Sequence, residues 1–302
     1  MYYPVLRGKQ NELIALRELA PHLSPDFFRP IIEPVRDKFS AISKTIEALN
    51  DKNISPVIIV NPTLGDFSVE SDYSSVIQEL GNDLSYLPCF TTKNTSNEKL
   101  TTITKGLDHF SILVEEGVSR DILPILEKAD IVFSSQYQRS AFKTLNKVVI
   151  IRDGFSRASR NSDYPERSFF SDIHTDFKEG KNVIGFGDYT ITGDDYKESG
   201  GPAYVVAIHL SYIDQEEFGA MYVRHFKSYD DRTPTGPGKK FGDALDQLIV
   251  FSKENEEFLY DTIGLNGFKK LHSEGHFPGL GQVKKLSIQN HIETICTYLS
   301  GE

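Results

Sequence analysis

The amino-acid sequence repeats one pattern eight times between Met1 and about Tyr189, and this repeat constrains the fold more than any other feature. Each repeat is a short apolar run that ends in a polar or charged residue, followed by a polar link. The apolar runs are 2–7, 29–35, 55–61, 87–92, 110–116, 129–135, 147–153 and 182–188. Strands that alternate with helices form parallel sheets, so eight such units in fewer than 200 residues predict a (β/α)8 barrel of the TIM type.

The links between the runs support this prediction, because several have the period of an amphipathic helix. In the first link, Leu13, Leu16 and Leu19 form one apolar stripe that would face a core. In the third link, Ser71 or Asp72 is the expected helix cap, since both side chains accept hydrogen bonds from the first helical turn.

Two later stretches do not follow the repeat. Residues 154–180 show little periodicity and predict a long irregular loop after the seventh strand. Residues 203–228 contain two long strand-like runs around a polar turn, which predicts an antiparallel β-hairpin inserted after strand eight. No stretch reads as a linker, so we expect a single barrel domain over 1–302. Its expected segments are eight βα units over 1–189, the hairpin insertion over 190–240, and closing helices with a C-terminal helix over 241–302.

Charge and composition argue against several classes of protein. The net charge of -10 argues against a general nucleic-acid surface, because neutralising phosphates requires a basic face. No apolar stretch reaches about 18 residues, so no membrane span is expected. Cys89 and Cys296 are expected to be buried free thiols, which suits a reducing cytoplasm. Arg7 and Lys9 interrupt the first apolar run, so we expect no signal peptide and predict a cytoplasmic protein.

Acidic residues are concentrated where the predicted strands end, and in a (β/α)8 barrel the reactive groups project from the C-terminal strand ends. These residues are Glu33, Glu115, Glu116, Asp153 and Asp188. Carboxylate oxygens suit a hard divalent cation such as Mg²⁺ or Ca²⁺. We expect Glu33, Glu115 and Asp188 as metal ligands. We also expect Glu33, Asp153 and Asp188 to be catalytic and to line one cavity.

Basic and amide side chains are expected at the same strand ends. They are Arg7, Lys9, Gln10, Asn61 and Arg152. Gly8 permits a tight turn after the first strand, and Arg7 and Lys9 can hold a phosphate group of the substrate. Two alternatives stay open. Either Arg7 and Arg152 pair with the carboxylates and no metal binds, or the polar strand ends only solvate the barrel mouth.

The predicted hairpin carries a second group of candidates. If its turn centres near Glu217, His209 lies opposite Arg224 or His225. A histidine pair can bind metal, contact substrate or shuttle protons, which makes His209 a catalytic and His225 a substrate-binding candidate. The alternative is that each histidine is simply packed and hydrogen-bonded. The irregular loop adds a further cluster, which is either an anion-binding lid or a solvated loop. Its members are Arg157, Arg160, Arg167, His174 and Asp176.

Five stretches resemble the beta family, a group of phage and bacterial proteins. They are YYPVLRGKQNELIALREL, RPIIEPV, NSDYPERSFFSDIHTDF, GFGDYTITGDDYKESGGPAYVVAIHLSY with RHFKS, and GHFPGLGQVKKLSIQNHIETI. Together they span essentially the whole chain. The resemblance implies a barrel and a two-gene antiviral system in which a nuclease-like partner is encoded beside the protein. It implies no catalytic residues.

Two hypotheses about function follow. In the first, the protein is a component of a bacterial or phage conflict system and a metal-dependent hydrolase of a phosphate-containing or nucleotide substrate. The opening Arg7-Gly8 also resembles glycerophosphodiester phosphodiesterases, although Leu6 stands where those enzymes have histidine. In the second, the barrel is a non-catalytic subunit that senses a ligand or binds a nuclease-like partner. Arginine–carboxylate pairs that fill the barrel mouth would favour the second.

Overall fold

The structure is a computed structural model of the chain. It describes residues 1–68, 73–81, 83–115, 117–136, 138, 140–198 and 200–301. The expected helix cap at Ser71 or Asp72 and the strand-end residue Glu116 lie outside the described residues.

A parallel sheet of eight strands confirms the predicted barrel. The strands of the chain are β1 Val5–Leu6, β2 Ile31–Ile32, β3 Val57–Ile59, β4 Leu87–Thr91, β5 Ser111–Val114, β6 Ile131–Ser134, β7 Val148–Arg152, β8 Arg167–Ser171, β9 Val183–Asp188, β10 Ala207–Asp214 and β11 Ala220–Lys227. The barrel sheet has the order β1 to β7 and then β9, with every neighbouring pair parallel. Tyr2 closes it by bridging to Phe28 on one side and Phe186 on the other.

Helices connect most of the barrel strands. The α-helices are α1 Gln10–Leu19, α2 Ser40–Asn50, α3 Tyr73–Leu80, α4 Asn97–Thr104, α5 Leu123–Leu126, α6 Ile173–Asp176, α7 Pro237–Glu254, α8 Ile263–Glu274 and α9 Leu280–Ser300. The apolar stripe of Leu13, Leu16 and Leu19 is buried, as its period predicted. In the predicted sixth link the described residues form only a short 3₁₀ helix, Phe142–Thr144.

The chain divides into two compact units. The first contains residues 1–153 and 176–188 and holds the barrel sheet, and the second contains residues 154–175 and 189–302. These boundaries differ from the three segments expected from the sequence. The expectation of a single domain stays a prediction.

The second unit contains an antiparallel sheet of three strands in the order β10, β11, β8. The hairpin of β10 and β11 is confirmed, and it pairs His209 with His225. The expectation of an irregular loop over 154–180 was wrong, because β8 lies within it and pairs with β11. A strand of five residues whose partner lies at least fifty positions away gives almost no local signal.

Helices α7, α8 and α9 form an apolar core with the hairpin, which includes Ile208, Leu210, Phe226, Phe241 and Phe268. Helix α9 is unusual, because every residue of 286–296 is buried, including polar ones. Several of its buried polar groups have hydrogen-bond partners. His291 Nδ1 lies 2.7 Å from Ser211 Oγ, and Asn290 Nδ2 donates to the Ser211 carbonyl at 2.8 Å. These bonds offset the desolvation of the buried groups.

The cysteine prediction is confirmed, since Cys89 and Cys296 are both buried free thiols. Burial raises the pKa of the Cys89 thiol to about 12, so this sulfur is not a nucleophile near neutral pH. None of the helices in the described part of the chain combines the length and the apolar character that crossing a membrane requires.

Barrel closure predicts a strong effect of a methyl group at Gly187. A Cβ added there would overlap the Tyr3 carbonyl oxygen and the Ile151 side chain. We expect Gly187→Ala to lower the free energy of unfolding in urea by at least about 2 kcal/mol, because backbone cannot yield as a side chain does. The control is Gly242→Ala in α7, where a Cβ meets nothing within 4 Å and should stabilise the helix slightly. Equal stability of Gly187→Ala and the unmutated protein would contradict this closure.

Candidate functional site

The end of β1 brings together the first two predicted site residues. Gly8 adopts a positive φ of 62°, which turns the chain at once after Arg7. The Arg7 guanidinium forms an ion pair with the carboxylate of Glu33, and both side chains are almost fully buried. The backbone N–H of Arg7 donates to Glu12 Oε2 at 2.6 Å. Of the two options left open for Arg7, neutralising a carboxylate is the one realised.

The Glu33 carboxylate is a buried charge with a fixed set of partners. Burial raises its pKa, the charge of Glu115 adds to that rise, and Arg7 opposes it. The backbone N–H of Thr63 also donates to Glu33 Oε1 at 3.4 Å. A carboxylate that is held by a guanidinium in this way offers few lone pairs to a metal ion.

Glu115 and Asn61 are engaged with β4 and the segment after it. The Glu115 carboxylate accepts a hydrogen bond from the Thr91 hydroxyl, and Lys93 Nζ lies 3.8 Å from its other oxygen. The Asn61 amide forms two bonds with the backbone of Thr91, accepting from N at 2.8 Å and donating to O at 2.9 Å. Asn61 therefore ties the end of β3 to β4.

The last two strands of the barrel sheet carry three further candidates at or just after their ends, namely Arg152, Asp153 and Asp188. Asp188 is buried and accepts a hydrogen bond from the Tyr2 hydroxyl at 2.9 Å. Arg152 lies beside Asp188 in the register of β7 and β9, but both Arg152 and Asp153 are exposed. The cavity that Glu33, Asp153 and Asp188 were expected to share therefore stays a prediction.

The described residues contain no group of three or more His, Cys, Asp or Glu side chains placed to hold a metal ion. Each expected ligand has a protein donor instead: Arg7 for Glu33, Thr91 for Glu115 and Tyr2 for Asp188. The donor set therefore does not fit a divalent cation such as Mg²⁺ in this arrangement. Of the remaining barrel candidates, Lys9 is half-buried and Gln10 is exposed at the start of α1.

A cavity of about 220 Å³ in the second unit carries the better-defined site. Its polar lining is mostly basic or neutral. The lining side chains that the argument uses are Phe155, Arg157, Asn161, Tyr164, His209 and Lys284. None of the described residues that line this cavity is Asp or Glu. A lining of this composition favours an anion over a cation.

One lining residue, His209, is bonded to a second histidine, His225, because hairpin register brings the two together. His209 Nδ1 and His225 Nδ1 are 2.8 Å apart, and His225 Nε2 lies 2.8 Å from Ser168 Oγ. The Tyr164 ring stacks on His225 at 4.7 Å and contacts His209 edge-on at 4.7 Å. Phe155 contacts the His209 ring at 5.1 Å. The two imidazoles are therefore enclosed by aromatic rings and hydrogen-bonded to each other.

Both imidazoles resist protonation. Burial lowers the pKa of His209 to about 3, and the nearby charges of His225 and Lys284 lower it further. Burial also lowers the pKa of His225 to about 4, with Lys227 and Arg224 adding to the effect. Desolvation disfavours the charged form of a base, so both rings are neutral at pH 7.

Arg157 is held in place beside the cavity. Its Nη1 donates to the Asp195 carbonyl at 2.6 Å and to the Asp195 carboxylate at 3.0 Å, while Nη2 donates to the Thr192 carbonyl. Such contacts fix the guanidinium plane and lower the entropy that a ligand contact would otherwise cost. Asn161, another lining residue, donates to the Val205 carbonyl at 2.8 Å.

Three other members of the expected anion-binding lid have structural partners, while Asp176 is exposed. Arg160 pairs with Asp163, and Arg167 pairs with Asp214 and lies over the Tyr222 ring. His174 is buried, with its Nε2 2.8 Å from the Gly219 carbonyl. Of that group only Arg157 lines the cavity.

Sequence reasoning missed Ser168, Tyr164 and Lys284 as site residues. Ser168 lies on β8, within the stretch that the sequence predicts as an irregular loop, so no local pattern indicates its pairing with β11. Lys284 lies in the first turn and a half of α9, where a lysine on a helix gives no signal of its own. Tyr164 precedes β8 in the same stretch, where no local pattern marks it as a site residue.

The Arg7–Glu33 pair predicts that removing one partner is worse than removing both. Arg7→Met leaves a buried carboxylate without its cation, and we expect the free energy of unfolding at pH 7 to fall by about 3–5 kcal/mol. The double variant Arg7→Met with Glu33→Gln should recover most of that loss. Urea denaturation of the single and double variants measures both. A loss in the double variant as large as in the single one would mean that the ion pair is not what matters.

Glu293 on α9 predicts a pH-dependent stability. Its Oε2 accepts from the Ile263 N–H at 2.7 Å, yet burial raises its pKa to about 7. The pKa of this carboxyl group is lower in the unfolded chain. The contribution of Glu293 to stability is therefore complete below about pH 4.5 and is lost as the pH rises through 7. We expect Glu293→Gln to remove this loss and to be more stable than the unmutated protein at pH 8 by ~3 kcal/mol. Urea denaturation at pH 4.5 and 8 measures it, with exposed Glu257→Gln as control.

Comparison with known proteins does not extend these findings. No protein-family model matches the chain, and no curated protein matches it in sequence. The resemblance to the beta family therefore stays a prediction that rests on the quoted stretches alone.

Proposed function

We propose that this protein is a ligand-binding subunit that holds a small phosphate-bearing molecule in the cavity of its second unit. The observation that carries the proposal is the lining of that cavity. Arg157, Lys284 and the neutral His209 line it, and none of its described lining residues is acidic. In a chain of net charge -10, a recess whose described lining is basic or neutral is a local exception that suits an anion, with Asp195 holding Arg157 from outside the lining.

The size and chemistry of the cavity narrow the class of ligand. A volume of about 220 Å³ lies below the usual range for drug-sized molecules, so it suits a phosphate group or a small phosphate ester. Arginine offers a planar fork for two phosphate oxygens, and lysine adds a point charge. The Asn161 side chain and the Ser287 hydroxyl line the same space and add neutral polar groups.

The barrel mouth supports the competing enzyme hypothesis less well. Hydrolysis of a phosphodiester there would need carboxylates available to a cation. Glu33, Asp188 and Glu115 instead accept bonds from Arg7, Tyr2 and Thr91. Metal-dependent hydrolysis at the mouth therefore stays a prediction that the contacts do not favour.

The cellular role is a separate part of the proposal and rests on the resemblance alone. A member of the beta family would act in a bacterial or phage conflict system, beside a neighbour-encoded nuclease-like partner. A subunit that senses a phosphate-bearing ligand and controls such a partner would combine both expectations. Co-purification of the two proteins with and without inorganic phosphate tests this part on its own.

Charge reversal at Lys284 tests the proposed site. We expect Lys284→Glu to weaken binding of inorganic phosphate at pH 8 at least about tenfold, because a carboxylate beside a bound dianion costs more than about 1.4 kcal/mol. Isothermal titration calorimetry measures the affinity. Lys285→Glu is the matched control, since it makes the same charge change on the neighbouring half-buried residue of α9, which does not line the cavity.

A third variant separates the cavity from the barrel mouth. Lys9→Glu should bind phosphate as tightly as the unmutated protein does. If Lys9→Glu abolishes binding while Lys284→Glu leaves it intact, the ligand binds at the barrel mouth and the proposal is wrong.

A further inference from the structure

Three polar groups form a hydrogen-bonded row across the three-stranded sheet. Ser168 on β8, His225 on β11 and His209 on β10 come from adjacent strands, with 2.8 Å between each linked pair of atoms. His209 lines the cavity, so one end of the row is available to a ligand there. The row crosses the sheet because β11 pairs with both other strands.

The hydrogen bonds of this row limit where the imidazole protons can lie. A neutral imidazole has one N–H and one acceptor nitrogen, so a bond between two Nδ1 atoms requires that one is protonated and the other is not. Two arrangements satisfy this condition. Either His225 donates to His209 and His209 carries its proton on Nε2, or His209 donates to His225 and its Nε2 is an acceptor.

We propose that the Ser168–His225–His209 row presents His209 as an uncharged N–H donor to a bound anion, so that the anion binds without uptake of a proton. This inference rests on the proposed function, since it concerns the same cavity. In the bound state the anion accepts from His209 Nε2–H, and His209 Nδ1 accepts from His225 Nδ1–H. His225 Nε2 then accepts from the Ser168 hydroxyl, and no proton is exchanged with solvent.

The charges around the row favour a neutral donor over an imidazolium. Lys284 faces His209 from α9, and Arg224 and Lys227 act on His225 from β11. Arg157 also lines the cavity, so a further positive ring would be repelled by every neighbouring cation. The rings of Tyr164 and Phe155 pack against His209, and Tyr164 also stacks on His225, which reduces the contact of both imidazoles with water. The low pKa values of the two histidines are consistent with these neighbouring cations and aromatic rings.

Ser168 acts in this scheme as a positioning residue. Its hydroxyl lies at the far end of the row and influences the ligand only through the two rings. When His209 is the donor to the ligand, the Ser168 hydroxyl donates to His225 Nε2, and in the other arrangement it accepts from the same nitrogen. Removing the hydroxyl removes the bond that holds the His225 ring in this orientation, without touching the cavity lining.

The first experiment measures proton uptake with sulfate, a dianion whose charge is constant between pH 6 and 8. Isothermal titration calorimetry in two buffers of different ionisation enthalpy gives the number of protons taken up. We expect none, and an affinity that does not change over this range. An affinity that rises as pH falls, with uptake of a proton, would show an imidazolium and overturn the inference.

The second experiment reads the tautomers directly. Nitrogen-15 shifts of the histidine rings with sulfate bound should show His209 protonated on Nε2 and His225 protonated on Nδ1. Ser168→Ala should weaken sulfate binding about five- to tenfold, as loss of one hydrogen bond does, and mix the tautomers. Ser168→Thr keeps the hydroxyl and should restore both. A Ser168→Ala variant with unchanged tautomers and affinity would overturn the inference.

The results separate this inference from the proposed function. If neither sulfate nor inorganic phosphate binds the unmutated protein, the proposed function fails and the inference fails with it. If both anions bind and Lys284→Glu weakens their binding, the proposed function stands. If His209 is then found as a cation or with Nε2 as an acceptor, only the inference fails.

Discussion

Closure of the parallel sheet is the constraint on which the barrel unit depends. Its last strand must return to the start of the chain, where the Tyr3 N–H donates to the Phe186 carbonyl at 2.8 Å and the Phe186 N–H donates to the Met1 carbonyl at 3.2 Å. Without this pairing both edges of the sheet would leave backbone groups without partners. The close approach requires Gly185 and Gly187 in β9, because a side chain at either position would meet backbone of residues 1–3. Closure also directs all the C-terminal strand ends to one face.

That convergence creates the electrostatic problem at the barrel mouth. Carboxylates brought to one face lose water, and each must find a cation or a hydrogen-bond donor. Here the protein itself supplies them, with Arg7 on Glu33 as the most buried pair. The carboxylates that the sequence predicts as metal ligands are therefore bonded to donors of the protein itself. These contacts hold the strand ends in place.

In the second unit, too, polar groups that lose water must find partners. Its histidines are enclosed by aromatic rings and face cations, so they remain neutral and bond to each other and to Ser168. Asp195 pairs with Arg157 beside the cavity, but no carboxylate side chain is among the described residues that line it. Each expected metal ligand at the barrel mouth thus has a protein donor, while the lining of this recess presents basic side chains to an anion.

The sequence by itself determined the barrel, because period-2 and apolar strand runs and period-3.6 helices are local properties of the chain. It also placed Arg7 and Glu33 at strand ends and His209 opposite Arg224 or His225, since hairpin register follows from the turn, and the structure selects His225. Only the tertiary structure decided that β8 joins the hairpin, that Arg7 pairs with Glu33, and that Lys284 lies at the cavity. Those outcomes depend on contacts between residues far apart in the chain, and on how much water each charge loses, which no local pattern records.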